Sequence, residues 1–347
     1  MVTLKLNKAD LNWGELPFSY IKTDCHLEYY FRDGAWDNGT VVEDDRINLS
    51  VAATCLHYGQ ECFEGLKVFE APDGSARVFR IEENARRMIR SAEKIHMAPF
   101  PEEMFIDAIY KLVKLNKRFI PPHGSGASLY IRPLILGISS LIGVKPSTDY
   151  LFMAMCTPAG PYFKGGLKPI KLIVAEEFDR AAPFGVGDVK VGGNYAAGLR
   201  ATITAQNAGY SEVLYLDAGN KEYIDESGPA NFFGITQDNK YITPNSNSIL
   251  PSVTNNCLMT IAKDMGLKVE HRPVNVDELP TLKEAGCCGT AAVITPVKSI
   301  TYRDKTYKYG DGVNVGTISL ELYKRLTDIQ NGLAEDKYEW TRKIPLD

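Results

Sequence analysis

Two α/β domains, each built on a mixed sheet, are what this sequence predicts, and three observations predict them. The chain has 347 residues, enough for two cores of ordinary size, since domains run to about 100–200 residues. Strand-like and helix-like stretches occur in both halves without the regular rhythm of repeated βαβ units. Between the halves, Gly and Pro crowd the segment Thr157-Pro158-Ala159-Gly160-Pro161-Tyr162-Phe163-Lys164-Gly165-Gly166, which marks an interdomain connection. The expected division is a small amino-terminal domain over 1–157, a linker over 158–168 and a larger carboxy-terminal domain over 169–347.

The elements follow in order. Tyr20 to Tyr30 holds strand-forming runs, and Gly65–Phe69 and Ala76–Arg80 read as a strand pair around the turn Asp73-Gly74. From Glu82 to Ala98 the residues Ala85, Met88, Ile89, Ala92 and Ile95 recur at helical spacing. A second helix is expected over Glu102–Phe119, and strands over Ser128–Leu136 and Tyr150–Cys156. Past the connection, Pro169–Phe178 reads as a strand and Tyr195–Ala208 as a helix. Strands are expected over Glu212–Asp217, Glu222–Asp225 and Asn231–Ile235. A helix over Thr254–Met265 starts where Pro251-Ser252 can cap it. Leu267–Pro273 reads as a strand, Val276–Ala285 as a helix, Thr290–Thr295 as a strand and Thr317–Leu333 as a closing helix.

Composition narrows the function. Hydrophobic residues at 44% and charged residues at 24% are globular values, which excludes a disordered or collagen-like chain. A net charge of −4 gives no electrostatic reason to bind nucleic acid. No run approaches the roughly 20 apolar residues of a membrane span, and Met1 to Asn7 lacks the apolar core of a secretion signal. Seven cysteines, odd in number and scattered, fit reduced thiols in a cytoplasmic setting. The five histidines show no ligand spacing with them, so no metal is expected.

Four groups of residues can carry chemistry. In Gly185-Val186-Gly187-Asp188-Val189-Lys190-Val191-Gly192-Gly193-Asn194-Tyr195, a lysine flanked by glycines can approach a ligand and form a Schiff base with an aldehyde. Alone, the segment fits a solvated loop lysine equally well. Tyr223 to Phe233 sets Asp225-Glu226 at a strand end before a Gly-Pro turn, as a carboxylate aimed into a pocket would need, although a surface acidic pair fits too. Ile249-Leu250-Pro251-Ser252-Val253-Thr254 leads into a helix whose free N–H groups can seat an anion. Gly289-Thr290-Ala291 is a turn of small residues with backbone donors, and Arg80 ends a strand with a planar fork suited to phosphate. Each of these is also an ordinary cap, turn or strand end. The fourth group is aromatic (Tyr58, Phe63, Tyr130 and Tyr162, with Arg132 two residues after Tyr130) and reads either as plain core or as an apolar pocket with polar tips.

Taken together, these segments resemble the branched-chain aminotransferases of the fold-type IV pyridoxal-5′-phosphate (PLP) family. The match runs along nearly the whole chain through Leu16-Pro17-Phe18, His57 to Phe69, Phe79-Arg80, Leu129 to Pro133, Tyr162-Phe163, Gly185 to Tyr195, Tyr223 to Phe232, Ile249 to Thr254 and Gly289 to Ala291. The resemblance implies that Lys190 carries the cofactor and shuttles the proton between Cα and C4′. Glu226 is similar to the partner of the pyridine nitrogen, and Tyr195 to the tyrosine that bonds the ring's phenolic oxygen. Arg80, Val253, Thr254 and Thr290 match the phosphate cup, and Leu250 the residue against the ring. Tyr130 and the Thr290 and Ala291 amides match the substrate carboxylate site, with Arg132 supporting it. Phe18, Tyr58, Phe63 and Tyr162 match the side-chain pocket. Val144 matches a loop residue that reaches a neighbouring subunit, which implies a homodimer.

The chain departs from that pattern twice. Ala292 and Thr295 stand where some members carry a redox Cys-x-x-Cys, so no such switch is expected. Pro229 replaces a Thr, Ser or Gly and offers neither N–H nor hydroxyl to a cofactor. The reaction implied is ping-pong: leucine, isoleucine or valine gives up its amino group, and a 2-oxo acid such as 2-oxoglutarate takes it. Apolar walls discriminate by only about 1–3 kcal/mol per methylene, so overlap among the three donors is expected. The alternatives are a D-amino-acid aminotransferase or aminodeoxychorismate lyase of the same fold, which lack the Tyr-Ile-Arg-Pro and Phe-Glu-Gly-Leu-Lys segments together, or a non-catalytic PLP-binding protein, in which the lysine is the residue to be lost.

Overall fold

A computed structural model describes residues 7–161 and 166–346, which fold as two compact units. The first takes in residues 7–161, 190–192 and 328–346, and the second takes in 166–189 and 193–327.

The first unit is a nine-stranded sheet. Its strands are β1 (His26–Arg32), β2 (Ala35–Trp36), β3 (Thr40–Val42), β4 (Glu61–Phe63), β5 (Leu66–Glu70), β6 (Ala76–Phe79), β7 (Ser128–Gly137), β8 (Tyr150–Ala159) and a last strand, Thr341–Lys343. The spatial order is Thr341–Lys343, β6, β5, β7, β8, β1, β2, with β3 beside β1 and β4 beside β7. All these pairings are antiparallel, which corrects the mixed sheet expected for this domain: hairpins such as β5–β6 and β7–β8, not βαβ crossovers, set its neighbouring strands side by side. The closing stretch belongs to this unit because Thr341 pairs with Phe79. Helices α2 (Ile81–Lys94) and α3 (Glu102–Leu115) follow a five-residue helix α1 (Thr54–Tyr58). They bury the apolar stripe read from the sequence: Ala85, Met88 and Ala92 on α2, Phe105, Ile109 and Leu112 on α3. Phe105 meets the β8 ring of Phe152, which stacks on Phe100. Each of the large side chains among them stabilises the fold by roughly 1.5–3 kcal/mol when removed from water, and each alanine methyl by under about 1 kcal/mol. Because side chains alternate along a strand, burial of Leu129, Ile131 and Ile135 on β7 turns Tyr130, Arg132 and Leu134 to the opposite, half-buried face.

In the second unit the strands are β9 (Ile170–Ala175), β10 (Glu212–Leu216), β11 (Ile224–Ser227), β12 (Ala230–Thr236), β13 (Lys240–Thr243), β14 (Lys268–His271), β15 (Leu282–Gly289), β16 (Val293–Tyr302) and β17 (Lys305–Lys308). They run in the order β11-β10-β9-β16-β15-β12-β13-β14, with β17 beside β16, and the extra pairing of β11 with β12 closes β11, β10, β9, β16, β15 and β12 into a ring. β9 is parallel to both β10 and β16, and β13 to β14, while the rest are antiparallel. The sheet is therefore mixed, as the sequence predicts. Its core gathers Leu172, Leu214, Ile224, Phe232, Cys287 and Ile300. Helices α4 (Gly192–Asn207), α5 (Val253–Asp264) and α6 (Thr317–Gln330) complete the order. α5 begins where expected, and the Ser252 hydroxyl caps it by accepting the Asn255 N–H at 3.1 Å.

Two expected elements are corrected. Val276–Ala285 is not one helix: a 3₁₀ turn spans Val276–Thr281 under an Asn275–Glu278 capping box, with Pro280 inside it. Leu282 then opens β15, which is paired on both sides by β12 and β16. The strand expected over Thr290–Thr295 begins only at Val293, and residues 290–292 form the turn of the β15–β16 hairpin. Among the described residues no helix is long and apolar enough to cross a membrane, and no cluster of side chains could hold a metal ion.

Candidate active site

In the first unit, residues 190–192 lie along β4. The Phe63 N–H donates to the Lys190 carbonyl at 3.1 Å, Cys62 bridges Val191, and the Lys190 N–H donates to the Ser91 hydroxyl at 3.0 Å. Gly192 is required because a Cβ there would run into the Glu61 carboxylate. The half-buried Lys190 places its amine 4.7 Å from the centre of the Phe63 ring. Arg132 addresses the same ring, its guanidinium carbon 4.8 Å from the centre, and donates to the Tyr130 hydroxyl at 3.1 Å. Phe18 meets Tyr130 edge-on, ring centres 5.4 Å apart. Gly65 leaves room for the Tyr130 hydroxyl, which a Cβ would strike. Phe18, Phe63, Tyr130, Arg132 and Lys190 are thus joined in one cluster. The buried Arg132 Nε has no partner among the described residues.

Charge is arranged around this cluster. Glu64 is fully buried and accepts both ends of the Arg87 fork, at 2.6 and 2.8 Å, together with the Asn84 amide at 2.7 Å and the Gly65 N–H at 3.1 Å. Burial opposes its ionisation, but Arg87 and, more weakly, the Lys190 amine and the Asn84 hydrogen bond outweigh burial and hold its pKa below the usual value. Glu61 goes the other way. Burial raises it against the pull of the Gly192 N–H and Arg132. Lys67 pairs across the sheet with Tyr130, and burial draws its amine down to about 8.

Three expected residues stand elsewhere in the first unit. Arg80 is at the start of α2 in a left-handed conformation, φ 53°. The Tyr58 hydroxyl donates to the Ile142 carbonyl of the loop that exposes Val144. Tyr162 lies outside the described residues.

In the second unit the Gly228-Pro229 turn joins β11 to β12 and sets Glu226 opposite Asn231, which in turn faces Cys288. Glu226 is 3% exposed. Its Oε1 accepts the Leu250 N–H at 2.7 Å and the Asn231 amide at 3.0 Å, and its Oε2 pairs with Arg180 at 2.6 Å. Arg180 spends its other N–H groups on the Ser248 and Gly187 carbonyls. Tyr195, on α4, lines a cleft of about 200 Å³ with Arg180, Glu212, Tyr215, Gly228 and Pro229. Leu250, Val253 and Thr254 are buried where the chain enters α5. Thr290 and Ala291 occupy the β15–β16 turn, which ends on Val293 at φ 63°. A β-branched residue rarely adopts that conformation, and such strain concentrates at functional turns. The vicinal Cys287 and Cys288 are buried strand residues whose thiols burial pushes far up, Cys287 to about 12, so neither is a nucleophile.

Sequence reasoning missed Lys67, Arg180, Asn231 and the Arg87–Glu64 pair. For Lys67 the sequence holds a signal: it closes the Phe63-Glu64-Gly65-Leu66-Lys67 segment that carries the resemblance. Arg180 carries none, because it meets Glu226 only through the fold.

A family model described as amino-transferase class IV matches residues 61–300. A branched-chain-amino-acid aminotransferase of Helicobacter pylori is 46% identical over 340 residues, covering 97% of this chain and 99% of the relative. Among solved structures, the branched-chain amino acid aminotransferase of Escherichia coli is similar with a TM-score of 0.79 at 27% identity, over 93% of this chain and 100% of that one. A second such enzyme, solved with pyridoxamine 5′-phosphate and ascribed to the organism abbreviated T.th., also scores 0.79, at 26% identity over 94% of this chain and 100% of that one. With the family model matching both halves and the identity sustained along the whole relative, this chain belongs to the class IV aminotransferases, in their branched-chain-amino-acid branch.

Proposed function

We propose that the protein transfers the α-amino group reversibly between L-leucine, L-isoleucine or L-valine and 2-oxoglutarate, with PLP as its cofactor. The observation that carries this reading is the Phe63 ring, which meets the Lys190 amine on one hand and the Arg132–Tyr130 pair on the other. A nucleophilic amine, a cation for a carboxylate and an apolar surface for an aliphatic chain are thereby collected on neighbouring strands.

The donor sets fit PLP. Glu226 is a buried carboxylate held by a cation, an amide and a backbone N–H, which is what a protonated pyridine nitrogen needs opposite it. At the start of α5 the N–H groups of Val253 and Thr254 belong to the first turn, where a helix supplies no partner of its own, as an anion seat requires. When bound, PLP supplies an electron sink for the carbon that bears the amino group.

The chain's own residues do the rest. With PLP bound, the Lys190 amine would hold the cofactor's aldehyde and, once the substrate's amine has displaced it, would move the proton at Cα, with the face of Phe63 beside it. Glu226 would keep the pyridine nitrogen protonated, Tyr195 would bond the phenolic oxygen, and Leu250 would face the ring. Arg80, Val253, Thr254 and Thr290 hold the phosphate. Tyr130 and the Thr290 and Ala291 amides orient the substrate carboxylate, with Arg132 behind them. Phe18, Tyr58, Phe63, Tyr162 and Val144 of a second copy form the apolar wall. The cofactor domain is the part that follows the 158–168 connection. The reading includes a homodimer, which the exposed Ile142 and Val144 side chains support, and a cytoplasmic location, which seven free cysteines support.

Separate assays with leucine, isoleucine, valine, glutamate, aspartate and D-alanine as donors test the proposal. The first four are expected to react and the last two to do so poorly, since aspartate brings an unpaired charge to an apolar wall. A kcat/KM for D-alanine at or above that for leucine overturns it. Borohydride reduction and peptide mapping must place the label on Lys190 and on no other lysine.

A further inference from the structure

Arg80 sits in a conformation it would not choose alone. Its φ of 53° and ψ of 40° are left-handed, a region that costs an ordinary side chain roughly 1–2 kcal/mol and persists only where the surroundings enforce it. The enforcement comes from the far end of the chain. The Arg80 N–H donates to the Trp340 carbonyl at 2.7 Å, and the next residue, Thr341, pairs with Phe79. The Trp340 ring lies with its centre 5.7 Å from the guanidinium carbon, inside the range of a cation–π contact.

Trp340 is itself fixed. It is 5% exposed, meets Phe79 edge-on at 6.0 Å and stacks on Tyr338 at 4.2 Å. Its backbone is tied by Asp336, which accepts the Trp340 N–H at 3.1 Å and the Thr341 N–H at 2.7 Å. The opposing influence is Glu83, 3.6 Å from the guanidinium and able to draw it toward solvent.

We propose that Trp340 is a positioning residue for Arg80, its carbonyl fixing the Arg80 backbone and its ring the guanidinium, which is thereby held ready for the phosphate of PLP. The inference rests on the assignment of Arg80 to that phosphate. It adds that grip on the cofactor is set by a strand contributed from the carboxy-terminal end of the chain.

The test separates phosphate from ring. The full chain, freed of cofactor, is titrated with PLP and, separately, with pyridoxal, which lacks the phosphate. Trp340→Ala is expected to weaken PLP about tenfold, what a partly desolvated cation–π contact is worth, and to leave pyridoxal unchanged. Trp340→Phe, which keeps an aromatic face, restores most of the loss. In an Arg80→Ala background, Trp340→Ala has no further effect on PLP. Trp340→Leu keeps the apolar bulk without the ring face and carries the same comparison if the alanine variant does not fold.

Unchanged PLP affinity, a parallel loss of PLP and pyridoxal, or losses that add in the double variant each overturn the proposal. If Arg80→Ala alone leaves PLP affinity intact, the phosphate assignment fails and the proposal with it. If Arg80→Ala weakens PLP while Trp340→Ala and Trp340→Leu do not, only the role of Trp340 fails.

Discussion

Glu64 in the first unit and Glu226 in the second are built alike. Each is a buried carboxylate that meets an arginine, the side-chain amide of an asparagine and a backbone N–H. They differ in how the arginine is spent. Arg87 gives its fork to Glu64, one nitrogen to each oxygen. Arg180 meets Glu226 on Oε2 and turns other N–H groups to two backbone carbonyls. Glu64 therefore ties α2 to the strand that carries Phe63, whereas Glu226 is a charge held in place with its arginine anchored elsewhere. One kind of donor set serves a brace in one unit and, on our reading, a reagent in the other.

Neutral replacements should pull the two apart. Glu226→Gln is expected to lower kcat by about 10²–10⁴-fold, the usual range for losing a proton-handling group, with PLP still bound by absorbance. Near wild-type turnover would mean that Glu226 is not the nitrogen partner. Glu64→Gln strands a buried arginine, which costs about 3–5 kcal/mol. The melting temperature should drop by roughly 10 °C, while kcat of the folded protein changes far less. A Glu64→Gln enzyme that melts normally but turns over slowly would make the pair equivalent and break the comparison.

Lys67 offers a smaller test in the first unit. Its amine titrates near 8 in the fold and near 10.4 in an unfolded chain, so the folded state disfavours its proton. The resulting penalty is full below about pH 8, shrinks as pH rises toward 10.4 and vanishes above. Lys67→Met should therefore raise the melting temperature by a few degrees more at pH 7 than at pH 10. Equal shifts at both pH values would show that the amine is not desolvated. Smallest of all, Ser252→Ala removes the cap of α5, about 1 kcal/mol, and should lower the melting temperature by roughly 2–4 °C. A loss of PLP affinity at unchanged melting temperature would instead tie Ser252 to the phosphate.

What the sequence disclosed and what it hid follow from locality. The α2 stripe, the strand pair around Asp73-Gly74 and the Ser252 cap are written within a few residues of themselves, and the structure contains them. For Glu226 and Lys190 only the residue types and their Gly-Pro and glycine neighbours were legible, and the roles proposed for them rest on the resemblance of the whole set of segments. Arg180 and Trp340 were not legible, because each acts on a residue distant in the chain. Val276–Ala285 misled for a related reason. Its apolar spacing suits a helix, but Pro280 stops one from running through, and Leu282–Ala285 gains two flanking strands by extending.

Closure of the second unit's ring has a consequence for how the protein is made. A closed ring offers no free edge along those six strands, so the finished unit does not template another chain there. Closure itself waits on β9 meeting β16, whose register sets Ile170 against Val297. So distant a pairing is slow. Until it forms, β9 and β10 are unprotected apolar strands, and it is the newly synthesised chain, not the mature enzyme, that is open to aggregation.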